Sequence, residues 1–496
     1  RLLLFVALLA PSYSAFAQQD VSGTVTDARD GQPLPGVNIV VEGTTTGTTT
    51  DINGQYSLTV PGPDATLVFS FVGYQSRSVT VGDQTTINVQ LQEDVAALDE
   101  IVVVGYGTQE RRDVTGAVAT VDGEDISRIP TQSVTQALQG QIAGVQITPS
   151  SGEPGDDAIV RIRGVGTLND ASPLYVVDGM LTDDISFLNS QDIESVEVLK
   201  DASATAIYGS RGANGVIIIS TKQGSYDQGT IYSFDAYYGM SEVMNPIDLT
   251  GPQEYAVLAN EVTRNEQGPD AELPFPDPQS VTTPDWWDGD WQDVAFRPAP
   301  IQSYQLSARG GSDRVAYNFS GNFVQEEGVV EKSTRQRISA RLNNTYVLSD
   351  SIELGHNIAF TSSEGVESPG VISATYRADP TIAPRTSEPA DDVTSAPTDE
   401  SAFTNVGVRA SSGNPAASIF YHRNEYTENR LVGDVYTNVY FQEHFRFRTS
   451  FGLDLRRRET RNFNPEFFVS PAQQNEQSSI FVEKLDETSW LWENTL

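Results

Sequence analysis

The sequence has no cysteine, little positive charge and no long apolar run. Without cysteine it can form neither a disulfide framework nor a lipid anchor after an export signal. Its 31 lysines and arginines oppose 67 acidic residues, which leaves a net charge of −36. Such an excess repels the phosphates of nucleic acids and of anionic lipid surfaces and is typical of a heavily solvated surface. No apolar stretch approaches the roughly 18 residues of a spanning helix, so both nucleic-acid binding and a helical membrane anchor are disfavoured.

The first residues are apolar and are followed by small ones. Arg1 precedes LLLFVALLA, and Ala-Phe-Ala occupies positions 15–17. This is the apolar core and cleavage site of a secretory signal whose first residues are missing, and it predicts a signal peptide at 1–17. An exported chain that crosses a membrane without helices must use a closed β-barrel.

Residues 18–92 alternate short β-rich runs with turns, which predicts a small all-β domain. Strands are expected at 21–26, 36–41, 55–60, 66–71 and 86–91. Asn53-Gly54 supplies the positive φ of a tight hairpin. The segments GTVTDARDGQPLPGVNIVVEGT and TDINGQYSLTV resemble the carboxypeptidase regulatory-like domain, an accessory β-sandwich that implies no peptidase activity.

Residues 93–107 combine an acidic linker with an extended segment. Ile101, Val102, Val103 and Val104 are consecutive β-branched residues after Asp99-Glu100, and they predict a strand with free edges. Such a strand can add to the sheet of a partner protein, although an internal strand of the next domain would have the same composition.

Residues 108–224 predict a small α/β domain. Ser133 and Gln136 have capping-box spacing ahead of a short helix at 135–141. Strands are expected at 160–162, 174–177 and 216–220, with a helical turn at 202–207 between the last two. Gly164-Val165-Gly166 and Gly209-Ser210-Arg211-Gly212 fit neither phosphate-binding motif, so turns are expected there.

Five motifs in order carry a second resemblance: the acidic linker, LDEIVVVGYG, SVTQALQGQIAGVQI, RIRGVGTLNDASPLYVVDG and LKDASATAIYGSRGANGVIIISTKQG. The match includes the sandwich that precedes them. Together they resemble the SusC/RagA family of TonB-dependent outer-membrane transporters, from about Val21 to Gly224. The resemblance implies a plug domain, a periplasmic sandwich, and energy from TonB and its inner-membrane complex. It also implies a SusD-like surface lipoprotein as partner and a coupling strand at Asp99, Glu100, Ile101, Val102, Val103 and Val104.

Residues 225–496 alternate apolar and polar positions over long segments, as the strands of a membrane β-barrel do. In the clearest segment Phe445, Phe447, Thr449, Phe451, Leu453 and Leu455 form the lipid face, and Arg446, Arg448, Ser450, Gly452, Asp454 and Arg456 form the lumen face. Strands are likewise expected at 232–240, 301–308, 315–323, 338–346, 352–360 and 431–441, with an eighth beginning near Trp490. Short turns at 310–313, 349–351 and 442–444 alternate with longer loops, so the first strand is expected to run outward from the periplasm.

The predicted fold is mainly β: a sandwich, an α/β plug and the first part of a transmembrane antiparallel barrel. A barrel of eight strands is filled by its own side chains, whereas a plug of this size needs a lumen of about 22 strands. The chain is therefore expected to be the N-terminal part of a larger barrel, in contact with outer-membrane lipid.

Three sets of residues are candidates for function. By resemblance, Arg161, Arg163 and Arg211 are expected to form ion pairs between the plug and the barrel wall, where unpaired charges are costly. Trp286, Trp287 and Trp291, flanked by acids in the first long loop, suit a sugar, a protein partner or packing of the loop on itself. His422 and Glu425 have the spacing of two zinc ligands, but a loop residue before a strand is favoured.

We therefore expect a TonB-dependent importer of oligosaccharides or peptides that makes and breaks no bond and needs no cofactor or metal. The alternative is a surface enzyme or adhesin built on the carboxypeptidase-like sandwich. An adhesin needs repeated sandwiches or an anchoring signal, and a peptidase needs a ligand cluster.

Overall fold

A computed structural model describes residues 19–92, 101–104, 107–110 and 118–496, except 30, 42–43, 45, 72–73, 75–76, 130, 132, 168–169, 390–391, 393, 399–400, 407–412 and 442–444. The expected signal peptide, Asp99, Glu100 and the expected turn at 442–444 lie outside these residues. The chain divides into two compact units, Arg1–Val102 with Thr108–Thr115, and Val103–Gly107 with Gly116–Leu496.

The first unit contains a β-sandwich, as predicted. Its strands are β1 (Gln19–Asp27), β2 (Asn38–Val41), β3 (Gly47–Thr49), β4 (Gln55–Val60), β5 (Thr66–Ser70), β6 (Arg77–Thr80) and β7 (Val89–Leu91). One sheet has the order β4-β1-β7 and the other β3-β2-β5-β6. Every second residue of β4 is buried, so one face of the strand lies in the core. Gly54 takes the positive φ expected of the hairpin, at 71°.

Two short strands follow the sandwich. β8 (Ile101–Val104) pairs with β9 (Gly107–Glu110) in a two-stranded sheet. The expected extended segment is thus a strand, but one of its edges is taken by the residues that follow it.

The plug has a five-stranded sheet with the order β10-β15-β16-β13-β14. These strands are β10 (Val118–Asp122), β13 (Leu174–Val177), β14 (Met180–Thr182), β15 (Ile193–Leu199) and β16 (Val216–Thr221), while β11 (Val145–Thr148) and β12 (Ile159–Ile162) form a separate hairpin. The helices are α1 (Gly123–Ser127), α2 (Val134–Ala137) and α3 (Ala202–Thr205), with 3-10 turns at Ser190–Asp192 and Ala206–Asn214. Both faces of the sheet are buried, which explains the unbroken apolar run of β16.

The predicted capping box at the start of α2 forms only in part. The Ser133 hydroxyl accepts the Gln136 N–H at 3.3 Å. The Gln136 side chain does not bond back to Ser133. Instead it accepts the hydroxyl of Thr131, which itself accepts the Ser133 N–H.

The remaining residues form an antiparallel sheet of eight long strands, each hydrogen-bonded to the next. They are β17 (Ile231–Ser241), β18 (Ala299–Gly311), β19 (Val315–Glu327), β20 (Thr334–Ser349), β21 (Ile352–Val366), β22 (Asn424–Phe441), β23 (Phe445–Asn464) and β26 (Ser479–Thr495). All eight were predicted, but most are longer than expected. The eighth begins at Ser479 rather than near Trp490, because hydrogen bonding continues into charged residues where the apolar alternation is lost.

The two faces of β23 are those that the alternation predicts. Phe451 is 49% exposed and stacks on Trp490 of β26, with ring centroids 6.4 Å apart. The next residue, Gly452, is buried against Met180 of the plug. Outer and inner residues therefore alternate, and the plug lies on the inner face.

The longer connections meet at one end of the sheet, which we call the long-loop end. It carries α4 (Pro252–Gln267), a 3-10 turn (Pro278–Ser280), α5 (Gln292–Ala295), α6 (Ile372–Thr375), α7 (Pro415–Tyr421) and the hairpin of β24 (Phe467–Ser470) and β25 (Gln473–Asn475). α4 has Pro252 in its first turn and ends at Gly268, whose φ of 99° stops the helix. Among the described residues no helix has the length and apolar character needed to cross a membrane.

Candidate functional site at the interface of plug and barrel

Arg430 joins the barrel wall to the plug. Its Nη1 lies 2.5 Å from the Asp184 carboxylate in the loop after β14, and its Nη2 donates to the Thr182 hydroxyl at 3.0 Å. The same guanidinium binds both oxygens of Asp454 on the neighbouring strand, at 3.0 and 2.8 Å. Arg456 adds a second, longer contact to Asp184, at 3.8 Å. One plug carboxylate is thus shared by two arginines of the wall.

The ionisation of Asp184 follows from these contacts. Burial alone would raise the pKa of this carboxyl, but Arg430 and the hydrogen bonds from Ser186 outweigh burial, so the pKa is lowered. Asp157, on a nearby plug loop, behaves in the opposite way. Burial, and then the charge of Asp184, raise the pKa of Asp157 above its usual range.

Arg341 of β20 makes a second set of contacts. Its guanidinium lies 3.4 Å from Asp178 and 3.8 Å from Asp192, both on the plug. Asp178 is held at a positive φ of 50° by Thr221, whose N–H and hydroxyl both donate to its carboxylate. The Gln305 amide of the wall also donates to Asp192, at 2.9 Å. These side chains are almost fully buried, so their mutual contacts offset part of the cost of removing the charges from water.

A third barrel arginine binds plug backbone. Arg337 is 2% exposed and donates to the carbonyls of Ser186 and Leu188, at 2.9 and 3.3 Å. The plug segment after Asp184 is therefore fixed to the wall by main-chain as well as side-chain contacts.

The ion pairs seen between plug and wall involve other residues than the predicted ones. In the described interface the plug supplies carboxylates and the wall supplies arginines. Arg163 pairs with Asp201 within the plug, and Arg161 donates to the carbonyl of Val160 beside it. Arg211 lies on the rim of a cavity of about 800 Å³ that Arg430 and Arg456 also line. Pairing of Arg161, Arg163 or Arg211 with the wall stays a prediction.

A second cavity, of about 540 Å³, opens at the long-loop end between the plug and the wall. The plug contributes the loop 151–157 and the wall contributes the outer ends of β20 to β23. Its lining is polar and charged, with arginines and carboxylates of both domains. The lining residues are Ser151, Glu153, Pro154, Gly155, Asp156, Asp157, Asp184, Ser186, Thr334, Arg335, Ser363, Val366, Glu367, Ser368, Tyr426, Glu428, Arg456 and Arg458.

The tryptophans of the first long loop pack inward. Trp287 and Trp291 are 6% and 1% exposed, and their rings meet edge to face at 5.1 Å. Trp291 also donates its indole N–H to the Asp379 carbonyl at 3.0 Å. Together with residues of neighbouring loops they form an apolar core at the long-loop end, against which Trp286 is partly buried. Of the three open roles, packing is the one that Trp287 and Trp291 fill, and neither presents its ring for ligand contact.

The residues considered for zinc have structural contacts. His422 ends α7 just before β22, and its Nε2–H donates to the Glu367 carbonyl at 2.7 Å. Within the described ranges, no three or more His, Asp or Glu side chains lie close enough together to hold a metal ion.

Two family models match consecutive parts of the chain. Residues 21–103 match the family model of the CarboxypepD_reg-like domain, and residues 110–216 match that of the TonB-dependent Receptor Plug Domain. TonB-dependent receptor P26 of Formosa agariphila is 34% identical over 493 residues, covering 98% of this chain and 47% of its own length. The chain belongs to the SusC/RagA-type TonB-dependent receptors. Its barrel therefore lies in the outer membrane.

Other SusC/RagA-type relatives support the same assignment. TonB-dependent receptor P3 of Formosa agariphila is 40% identical over 77% of this chain, and TonB-dependent receptor SusC of Bacteroides thetaiotaomicron is 38% identical over 69%. The RagAB peptide importer in the open-open state superposes with a TM-score of 0.66 at 25% identity, over 80% of this chain and 46% of that one. The chain spans less than half the length of these relatives.

The residues that fasten the plug were not predicted from the sequence. Asp178, Asp184, Arg341 and Arg430 were not singled out. A signal was available for the two arginines, because each occupies a lumen-facing position of an alternating strand. A long cationic side chain there needs a partner inside the barrel.

Proposed function

We propose that this chain is the N-terminal part of a receptor that imports oligosaccharides or peptides across the outer membrane with energy from TonB. The observation that carries the proposal is the fastening of the plug to the inner wall by ion pairs and hydrogen bonds at Arg430, Arg341 and Arg337. Polar contacts can be exchanged for contacts with water, so such a plug can be displaced at less cost than one held by an apolar core.

Cargo would be captured at the long-loop end, beneath a SusD-like lipoprotein. A pull on the segment before the plug would then break the wall contacts and open a path. The relatives support an import role, because the named ones are TonB-dependent receptors and a peptide importer. The peptide importer supports a peptide cargo, and the oligosaccharide alternative rests on the family resemblance.

The coupling strand would be β8 with the preceding Asp99 and Glu100. One edge of β8 pairs with β9, and no described strand pairs with its other edge. A strand of TonB could add there, where main-chain hydrogen bonds supply the grip.

The test is proline substitution in the full-length receptor. Val102→Pro removes a backbone donor and should abolish uptake while outer-membrane level and cargo binding stay unchanged. Val102→Thr keeps strand propensity and should support normal uptake.

Two results would contradict the coupling role. If Val102→Pro lowers the amount of assembled receptor, the segment is structural. If uptake survives the proline, TonB engages the chain elsewhere.

A further inference from the structure

Arg335 lies at the outer end of β20, where it lines the 540 Å³ cavity at the long-loop end. It also lines a smaller, polar cavity of about 40 Å³ beneath the plug loop 151–157. Its guanidinium therefore lies between the plug loop and the 540 Å³ cavity.

The other two arginines that line the 540 Å³ cavity are neutralised by carboxylates of the wall. Arg458 binds Glu367 at 2.7 Å and lies 4.7 Å above the ring of Tyr426. Arg456 binds Glu428 at 3.0 Å. Neither has a charge left over for a ligand.

Three carboxylates around the cavity are likewise bound. Asp156 accepts the hydroxyls of Ser150 and Ser151 at 2.8 and 2.6 Å. Glu367 accepts the Asn424 amide at 2.6 Å as well as Arg458. Asp184 is shared by Arg430 and Arg456. Glu153, which makes no ion pair with a described residue, is exposed and lines both cavities. Asp157 accepts the Ser133 hydroxyl at 3.2 Å and interacts electrostatically with Arg335.

Arg335 differs from all of these groups. Among the described residues its guanidinium makes no ion pair and no hydrogen bond, although Glu326 lies opposite it in the strand pairing. It is nevertheless held in place, because it packs on the bare Cα of Gly155. A Cβ at Gly155 would overlap the guanidinium, and the φ of 78° there also favours glycine.

We propose that Arg335 binds a carboxylate group of the cargo. A fixed guanidinium presents a planar pair of donors that matches the two oxygens of a carboxylate. Glu326 and Asp157 act on Arg335 only through space, and no described side chain occupies its donors, so a carboxylate entering the cavity meets a fixed guanidinium with free N–H groups. This inference rests on the proposed function and narrows its cargo to molecules that carry an acid, either a uronate sugar or the C-terminus of a peptide.

The test compares free and blocked carboxylates on the purified full-length receptor by calorimetry. One probe pair is tetra-alanine and its C-terminal amide, and the other is a tetrasaccharide whose single charge is one uronate, together with the methyl ester of that uronate. At least one free probe should bind about tenfold more tightly than its blocked form, as expected for a charged hydrogen-bonded pair. The pair that shows the preference identifies the source of the carboxylate.

Arg335→Gln should bring that ratio close to one, while Arg335→Lys should retain part of it. Arg314→Gln is the matched control. Arg314 comes just before β19, at the end of the sheet away from Arg335, and its side chain is 69% exposed. This variant should leave the ratio unchanged.

The proposal is overturned if neither free probe outcompetes its blocked form on the wild-type receptor. It is also overturned if Arg335→Gln keeps the preference. A receptor that imports a neutral cargo, and loses that import with Val102→Pro, but shows no such preference would retain the proposed function and lose only this inference.

Discussion

The guanidinium of Arg430 on the barrel wall lies 2.5 Å from the carboxylate of Asp184 on the plug. The same guanidinium also binds Asp454 of the wall, at 2.8 Å. Removing one partner of this ion pair therefore has a different consequence for the other. Asp184 depends largely on Arg430, whereas Arg430 keeps a counter-ion in the wall.

The first prediction follows from this difference. Arg430→Ala leaves two largely buried carboxylates without their main partner and should destabilise the full-length receptor by about 3–5 kcal/mol. Asp184→Asn should cost clearly less, because Arg430 still binds Asp454. Urea unfolding of both single variants and of the double variant measures the costs and the coupling. Equal costs for the single changes would show that Asp454 does not neutralise Arg430.

The second prediction concerns the two faces of β23. Phe451→Arg should cost about 2–4 kcal/mol near the membrane midplane, because it places a charge in lipid. Ser450→Arg, on the lumen face, should cost far less. Unfolding of the full-length receptor in lipid vesicles gives both values, and similar values would contradict the assignment of the faces.

The third prediction tests the packing of the plug against Gly452. A side chain at Gly452 would occupy the position of the Met180 thioether, so Gly452→Val should cost about 1–3 kcal/mol through overpacking. Met180→Ala should recover part of that loss in the double variant. Gly321→Val is the control, since the nearest atom to an added Cβ there is 4.0 Å away. Strict additivity of Gly452→Val and Met180→Ala would rule out the contact.

The fourth prediction concerns the core of the long loops. Trp291→Ala removes a fully buried ring and its bond to Asp379, and should weaken this core by about 3–5 kcal/mol. We expect faster proteolysis of the loops with an unchanged barrel. Trp286→Ala, at a partly buried position, should have a smaller effect. Equal protease resistance of Trp291→Ala and the wild type would mean that the loops do not depend on this core.

The fifth prediction is a pH dependence at Lys332, in the loop between β19 and β20. Burial, reinforced by the charge of Arg423, lowers the pKa of Lys332 from 10.5 to about 8. The folded state therefore binds fewer protons than the unfolded state between pH 8 and 10.5, and this group should make the loop more stable as pH rises through that window. The rate of acylation of Lys332, followed by mass spectrometry, should have its midpoint near pH 8.

Lys484 is the control for that measurement, because its side chain is 65% exposed. Its acylation reports how well the reagent reaches an exposed lysine of the same receptor. A midpoint near 10.5 at Lys332 would contradict its burial.

The strands of the barrel could be predicted because their alternation has a direct physical cause in lipid and lumen. Their ends could not, since hydrogen bonding extends past the apolar belt, as at Ser479 to Trp490. Strand β15 of the plug was missed for a related reason. Its sequence IESVEVL contains two glutamates, yet Glu197 is 2% exposed and its carboxylate accepts the Ser195 hydroxyl.

The contacts between plug and wall could not be predicted from the sequence for another reason. Asp184 and Arg430 are 246 residues apart, and their meeting depends on how the plug is rotated within the barrel. The resemblance directed attention to Arg163, but its backbone has a φ of 57° and its side chain pairs with Asp201 inside the plug. For the tryptophans the composition left three roles open, and only burial separates them.

The counter-ions of the two wall arginines lie in different domains, and this difference affects how a displaced plug returns to its place. Arg430 would remain neutralised by Asp454 while the plug is away, whereas the described carboxylates paired with Arg341, those of Asp178 and Asp192, both belong to the plug. An emptied lumen would thus carry a localised positive site at Arg341. That site would attract the returning acidic edge of the plug over several ångströms and favour one rotational setting, so re-docking would be guided rather than random.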